Sequence, residues 1–180
     1  ATNHEGDITG NRPIPDLNIQ SGEISLVDAF ISTKSTNAAK AGDLEVAATN
    51  IALDEGSRIG SYSFSQGESG DITIGTSRFT MSGGSAVESG LDQVVLEGEE
   101  RAPYAAGDSG DIKITSGVMH FEEGSYVRNA QIDTALSVAV SLTVDDLYLK
   151  VKSFVSTETI HLRQPNYLNK PQTDPPGSSP

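Results

Sequence analysis

An internal repeat of 20 residues restricts this chain to few folds. Three segments align without a gap: residues 42–61 (GDLEVAATNIALDEGSRIGS), 70–89 (GDITIGTSRFTMSGGSAVES) and 110–129 (GDIKITSGVMHFEEGSYVRN). Each begins with Gly-Asp, has apolar residues at its third, fifth, tenth and twelfth positions, continues with Gly-Ser and has Ile or Val at its eighteenth position. Units this short cannot bury their apolar faces alone, so the repeat predicts a solenoid in which neighbouring units stack.

The apolar residues of each repeat occur in pairs that are two residues apart, as Ile72 and Ile74 are. Residues i and i+2 of a β-strand lie on the same face, so both side chains of a pair face the core. The two apolar pairs and the Ile or Val at the eighteenth position therefore predict three short strands in each unit. In two units the predicted inward residues are Ile72, Ile74, Ile112 and Ile114, and the predicted outward residues are Thr73 and Lys113.

We therefore predict an all-β fold, a parallel β-helix of about five coils with corner insertions and extended termini. An antiparallel sandwich also contains many short strands, but it gives no reason for one residue type to recur at the same place in every unit. The Gly-Ser pairs form the corners, where Gly56, Gly84 and Gly124 are predicted to adopt positive φ angles.

Weaker matches extend the repeat in both directions. Residues 22–26 (GEISL) indicate an earlier coil that places Ile31 at the tenth position, and residues 146–149 (DLYL) indicate a last coil. Residues 135–144 alternate between apolar and polar side chains, as a half-buried strand does. Insertions at residues 62–69 and 90–109 lie at one corner.

The predicted organisation has three parts: residues 1–20 are an N-terminal extension or cap, residues 21–163 form the β-helix, and residues 164–180 form a Pro-rich extended tail. The end coils of a solenoid have unpaired backbone groups, so we expect at least one terminal segment to cover an end. The chain starts at Ala1 without a charged and then apolar leader, which indicates a mature product or an excised segment.

The composition argues against several functions. The 12 basic and 25 acidic side chains give a formal charge of −13, so nucleic acid and anionic membrane surfaces are not predicted partners. The longest uncharged stretch with many apolar residues, 134–144, is shorter than the roughly 20 residues that span a bilayer. The chain has no cysteine, which excludes disulfides, thiolate metal sites and cysteine nucleophiles.

Three aspartates, Asp43, Asp71 and Asp111, occupy the second position of the repeats. Stacked strands lie about 4.8 Å apart, and unit charges at that distance repel by roughly 0.9 kcal/mol even in water. We predict that each carboxylate accepts hydrogen bonds from N–H groups of the turn. Two alternatives stay open: a weak Ca²⁺ site, or the paired carboxylates of a polysaccharide-active enzyme. No catalytic residue and no cofactor is predicted.

One short string invites comparison with a serine nucleophile, because residues 107–111 (GDSGD) resemble the GDSGG sequence of trypsin-like proteases. The same frame recurs at residues 67–71 (GESGD), where it simply begins a repeat. A nucleophile also needs a base, and the sequence around His4, His120 and His161 supports no such role. His120 lies between two inward residues and is predicted to point outward. We therefore predict that the chain is not an enzyme.

The unit GDITI, followed by an apolar pair, a Gly-Ser corner and a short third strand, resembles the repeats of two-partner-secretion exoproteins, the filamentous-haemagglutinin-like adhesins. The resemblance covers about residues 22–160. In that family such repeats form a right-handed parallel β-helix that is exported unfolded, and the proteins have little or no cysteine. The resemblance implies a right-handed coil and an extracellular or cell-surface location.

The resulting prediction is a non-enzymatic secreted or cell-surface protein, an adhesin or exoprotein segment that mediates attachment or contributes to matrix structure. Its expected partner is a surface glycan or protein ligand, or copies of itself. One alternative is a self-assembling extracellular fibre subunit, and a less favoured one is a β-helix enzyme that acts on polysaccharides. An adhesin is expected to bind through its outer faces and loops, whereas a fibre subunit is expected to polymerise.

Overall fold

The computed structural model describes residues 14–64, 67–91, 108–132 and 139–160 of the chain. Within these ranges the backbone forms ten strands: β1 (Leu17–Val27), β2 (Phe30–Ser35), β3 (Leu44–Asp54), β4 (Arg58–Ser63), β5 (Ile72–Met81), β6 (Ala86–Leu91), β7 (Ile112–Phe121), β8 (Tyr126–Ile132), β9 (Val140–Leu149) and β10 (Phe154–Ile160). This part of the chain contains no helix with the length and apolar character needed to cross a bilayer.

The strands form two sheets of five. The odd-numbered strands make the first sheet, in the order β1-β3-β5-β7-β9, and the even-numbered strands make the second sheet, in the order β2-β4-β6-β8-β10. All neighbouring strands are parallel. One strand of each sheet makes one coil, so five coils stack on one another. The prediction of an all-β parallel β-helix with about five coils is confirmed.

The core lies between the two sheets and consists of the apolar columns that the repeat predicts. Ile72 pairs with Ile112, and Ile74 pairs with Ile114. All four side chains are buried, whereas Thr73 and Lys113 are exposed, which confirms the predicted orientation. The largest buried rings, Phe79 and Phe121, meet edge to face with centroids 5.5 Å apart. The wholly buried side chains also include Leu44, Ile51, Leu53, Ile59, Met81 and Met119.

Each unit contains two strands, not the three that the spacing predicts. The first two predicted strands of the 70–89 unit form one continuous strand, β5, which includes both apolar pairs. The inward pattern changes phase at Ser77 and Arg78, which are both exposed. The ladder to β7 resumes at Arg78 after omitting Ser77. Because every ladder of this sheet omits the equivalent position, parallel pairing continues on both sides of it and no separate strand forms.

The corners have the backbone conformation that the sequence predicts. Gly56, Gly84 and Gly124 adopt φ angles of 75°, 75° and 76°, so positive φ at the corner glycines is confirmed. In the last coil Val151 and Lys152 adopt φ angles of 48° and 64° at the equivalent corner. The corner geometry therefore persists in a coil that has lost the Gly-Ser signature.

The first coil begins earlier than predicted. Leu17 pairs with Leu44, so β1 starts directly after Asp16 and residues 22–26 belong to its second half. Ile31 pairs with Ile59, which places it at the eighteenth position of the repeat and not at the tenth. The boundary proposed after residue 20 consequently falls inside β1. The signature was missed because Pro15, and not glycine, precedes Asp16.

The last coil is also displaced from its predicted start. Val140 pairs with Ile112, so residues 146–149 are the second half of β9, and the alternating residues 140–144 form its first half. Several predictions lie outside the described residues: the caps and the tail formed by residues 1–13 and 164–180, most of the 90–109 insertion, and the surroundings of His4 and His161.

Candidate functional site

The repeat aspartates form a hydrogen-bond ladder along one edge of the solenoid. Asp43 Oδ1 accepts the backbone N–H of Asp71 at 2.9 Å, and Asp71 Oδ1 accepts that of Asp111 at 2.8 Å. The ladder begins at Asp16, which accepts the N–H of Asp43, and ends at Ala139, which donates to Asp111. The structure thus brings the three Ca²⁺ candidates into one column and directs a carboxylate oxygen of each to a backbone amide of the next coil.

The electrostatics of Asp43 agree with this arrangement. Partial burial raises the pKa of its carboxyl group, but the N–H of Asp71 and the charge of Lys40 outweigh that effect, so the pKa is lowered. Lys40 Nζ lies 3.0 Å from Asp43 Oδ1. Among the residues that the structure describes, no three His, Asp or Glu side chains converge on a common metal position. The hydrogen bonds that these aspartates accept come from the next coil and not from their own turn, which differs from the predicted turn cap because the stacked coils bring the next amide within reach.

The serine of the GDSGD string belongs to a second, buried ladder. Ser109 is only 5% exposed, and its hydroxyl donates to Asn129 Oδ1. Asn129 Nδ2 in turn donates to the carbonyl of Gly110 at 2.6 Å, and Ser61 Oγ accepts the N–H of Gly70 at 2.7 Å. These side chains satisfy backbone groups where successive coils begin. Ser109 therefore has a structural role in the solenoid interior.

His120 points outward and is half-buried, as its position between Met119 and Phe121 predicts. Its Nε2 lies 3.5 Å from Glu122 Oε2, and its ring lies 5.8 Å from that of Tyr148. These neighbours belong to the outer surface of the first sheet, away from the buried serine ladder.

A polar cluster lies on the outer face of the second sheet and surrounds Glu88, which is 5% exposed. Its carboxylate accepts hydrogen bonds from Arg58, from Tyr62 Oη at 2.9 Å, from Arg128 at 3.1 Å and from Tyr126 Oη at 3.3 Å. Four donors from β4 and β8 thus converge on one acceptor of β6. The cluster ties three coils together through their side chains.

The charges of this cluster stabilise one another. Burial alone raises the pKa of Glu88, but the hydrogen bond and charge of Arg58, together with Tyr62 and Arg128, lower it below its ordinary value. Burial lowers the pKa of Arg58, and the bond to Glu88 more than compensates, so that pKa is raised. Burial and the Glu88 charge raise the pKa of Tyr126. Glu88 is therefore held ionised beneath two permanent cations.

A groove of about 570 Å³ opens above this cluster, and we call it the Arg-aromatic groove. Its volume lies within the range of small-ligand sites, roughly 300 to 1,000 Å³. The residues that line it are Phe30, Ser32, Lys34, Arg58, Tyr62, Tyr126 and Arg128. Three of them are cations, so the groove is locally positive on a chain whose formal charge is −13.

Aromatic rings line the groove or contact the side chains that line it. The rings of Tyr126 and Phe154 stack with centroids 5.1 Å apart, and the Arg128 guanidinium lies 5.3 Å from the Tyr126 centroid. Lys34 Nζ lies 4.0 Å from the ring centroid of Phe64. Phe30 is 65% exposed at the first coil, an unusual exposure for a large apolar side chain.

Sequence reasoning missed this groove, although a signal for it was present. Arg58 and Tyr126 occupy the seventeenth position of their repeats, and Glu88 and Arg128 occupy the nineteenth. These positions flank the inward eighteenth residue, so in a strand they face outward. Stacking the three repeats in order would have placed Glu88 of the middle repeat between Arg58 of the repeat before it and Arg128 of the repeat after it.

We expect Glu88→Gln to lower the free energy of unfolding by about 2 kcal/mol at pH 7. This loss is smaller than the roughly 3 to 5 kcal/mol that breaking a fully buried ion pair costs, because both arginines are partly exposed. Since the folded-state pKa of Glu88 is lowered, its contribution is complete above the ordinary Glu pKa of about 4.3 and disappears as the pH falls through the folded value. Urea unfolding of both proteins at pH 7 and pH 3 should show the difference shrinking. The exposed Glu23→Gln is the control, and an equal loss in both variants would contradict the assignment.

A scan against protein-family models, a search of curated proteins and a search of solved structures found no match to this chain. The resemblance to two-partner-secretion exoproteins stays a prediction from the repeats, and the functional argument rests on the geometry of the solenoid and its groove.

Proposed function

We propose that this chain is a non-enzymatic secreted or cell-surface β-solenoid, an adhesin or exoprotein segment that attaches to a surface ligand through the Arg-aromatic groove. The observation that supports this most directly is a local concentration of cations and aromatic rings on an otherwise acidic protein. Charged and aromatic side chains that converge on a concave surface are typical of ligand-binding sites.

The architecture suits binding because the groove is rigid before a ligand arrives. Its side chains come from strands that are paired in one continuous ladder, and Glu88 fixes the two arginines from below. A preorganised site loses little conformational entropy when it binds, which increases affinity.

The chemistry of the groove favours binding over catalysis. Arginine is always charged near neutral pH and does not exchange protons there. The carboxylate of Glu88 already accepts four hydrogen bonds and has a lowered pKa, which makes it a poor general base. These groups hold and orient a ligand, and the proposal assigns them no reaction.

Attachment is tested by applying the fluorescently labelled chain to surfaces coated with neutral glycans, acidic glycans or extracellular-matrix proteins. Phe30→Ser combined with Lys34→Glu changes two exposed groove residues, and we expect it to reduce retention at least tenfold. Thr73→Ser combined with Lys113→Glu alters the outer face of the first sheet and serves as the control. Retention that the groove variant leaves unchanged, or no retention on any coating, would overturn the proposal.

The second candidate function, a fibre subunit, is favoured by the match between the two ends of the solenoid. Leu17 and Val140 belong to the same inward column at opposite ends, as do Leu26 and Leu149. Both members of each pair have exposed or partly buried side chains. Head-to-tail stacking of copies would continue these columns across the junction and pair the edge strands β9 and β1.

Electron microscopy and concentration-dependent light scattering of the whole chain separate the two candidates. A fibre subunit should form filaments, and Leu149→Lys, which places a charge at the proposed junction, should abolish them. Lys113→Glu, in the middle of the stack, should not. Single particles at every concentration would eliminate the fibre function and leave the attachment function intact.

A further inference from the structure

We infer that the Arg-aromatic groove recognises an acidic sugar, whose carboxylate or sulfate group contacts Arg58 and Arg128 while a sugar ring packs against the exposed ring of Phe30. The inference rests on the proposed attachment function, because it names the ligand class for the same groove. The favoured source is an anionic polysaccharide.

The first argument is the surplus of positive charge. Glu88 contributes one negative charge, whereas Arg58, Arg128 and Lys34 contribute three positive charges to the groove. Two positive charges are therefore not neutralised within this cluster. An anionic group of the ligand is the natural counterion for these accessible cations, since hydrogen bonds between arginine and carboxylate or sulfate groups are strengthened by their charges.

The second argument is the number of donors that remain. A guanidinium group has five N–H donors in a planar fork. Glu88 accepts a hydrogen bond from only one terminal nitrogen of each arginine. The side chains of Arg58 and Arg128 stay 36% and 29% exposed, which leaves them accessible from the groove. Arginine forks bind carboxylate and sulfate groups in pairs of parallel hydrogen bonds.

The third argument is the apolar part of the site. Phe30 presents an exposed ring at the first coil, next to Arg58 of the second coil. A sugar ring has an apolar C–H face that packs on aromatic rings and a polar edge that forms hydrogen bonds. A ligand with both an anionic group and a flat apolar face can contact the two arginines and the exposed Phe30 ring at the same time.

The size and position of the groove disfavour two other anionic ligands. The groove extends from β2 to β8, three strand spacings or about 14 Å, which is too long to match a single inorganic ion. It lies on a sheet face where the backbone of β4 and β6 is paired on both sides. An acidic peptide therefore cannot add as a strand there and has only side-chain contacts available.

The experiment is calorimetric titration of the whole chain with defined ligands. The probes are an oligogalacturonate tetrasaccharide, a sulfated heparin-derived tetrasaccharide, the neutral maltotetraose, a short poly-glutamate peptide and inorganic sulfate, all at 0.15 M salt. We expect at least one acidic tetrasaccharide to bind at least tenfold more tightly than the neutral sugar, the peptide and sulfate.

Variants locate the site and separate a folding defect from lost recognition. Arg58→Gln and Arg128→Gln should each weaken binding of the acidic sugar at least tenfold, while Lys113→Gln on the other sheet should leave it unchanged. Phe30→Ser removes an exposed ring outside the ion-paired cluster, so it should weaken binding without lowering the unfolding midpoint. Equal binding by wild type and all three groove variants would overturn the inference.

The outcomes distinguish this inference from the proposed function. If the chain attaches to coated surfaces through the groove but binds neutral and acidic sugars equally, the ligand class is wrong and attachment through the groove stands. Tighter binding of poly-glutamate would replace the sugar with an acidic protein ligand. If neither coated surfaces nor any probe bind, both the proposed function and the inference fail.

Discussion

Replacing Ile112 by alanine is expected to lower the free energy of unfolding by about 2 to 5 kcal/mol, the usual range for truncating a large buried aliphatic side chain. Ile112 is 0% exposed and lies in a column between Ile72 and Val140, so a cavity at this point is enclosed by both neighbouring coils. Chemical denaturation followed by circular dichroism measures the loss.

The neighbouring residue provides a matched control for this prediction. Lys113 belongs to the same strand and is exposed, so Lys113→Ala should change the free energy of unfolding by less than about 0.5 kcal/mol. Similar losses from Ile112→Ala and Lys113→Ala would mean that the inward and outward faces of β7 are assigned incorrectly, and with them the register of every coil.

Gly70→Ala should destabilise the chain by about 3 kcal/mol, the upper end of the range for overpacking. A Cβ atom at Gly70 would lie 2.1 Å from the carbonyl oxygen of Gly42 in the preceding coil, and one at Gly110 would lie 2.2 Å from that of Gly70. The added Cβ atom would clash with backbone atoms of the neighbouring coil, which cannot rotate away as a side chain can. The clash is removed only if the two coils move apart. Thermal and chemical unfolding of the variant would measure the effect.

Gly75→Ala is the control for this effect. Gly75 belongs to the same repeat, residues 70–89, and its φ angle is negative. A Cβ atom at Gly75 would have no neighbour within 4 Å. Because alanine also restricts the unfolded chain, we expect a change between zero and a modest stabilisation. If Gly70→Ala is tolerated as well as Gly75→Ala, close approach of the coils is not the reason for glycine in the Gly-Asp signature.

The Gly-Asp signature illustrates what a repeat can reveal and what it leaves open. Its recurrence identified the stacking units, and the role of aspartate as a hydrogen-bond acceptor was predictable from its chemistry. The role of glycine at Gly70 and Gly110 was not, because it depends on the distance to a backbone oxygen in the adjacent coil. That distance is a property of the stack and not of one unit.

The end coils were misplaced for a related reason. Asp16 follows proline, and the equivalent of Asp111 in the last coil is Ala139, so neither end shows the full signature. In the structure these coils keep their place because their strands pair along their whole length with β3 and β7. Ladder hydrogen bonds set the register even where the signature residues differ.

Of the features described, the Arg-aromatic groove was the least predictable from the sequence. Arg58, Glu88 and Arg128 are separated by 30 and 40 residues, and the segments between their units differ in length. Their contacts appear only when the register of β4, β6 and β8 is known. The repeat nonetheless indicated that all three face outward, since they flank inward residues of the core.

The amino-acid sequence by itself determined the parallel stacking, the inward columns and the corner glycines, because each depends on local spacing and on residue types that recur in every unit. The tertiary structure decided the continuity of the long strands, the extent of the end coils and the convergence of four donors on Glu88. These features arise between coils, where ladder register and close packing bring together residues that no sequence period relates.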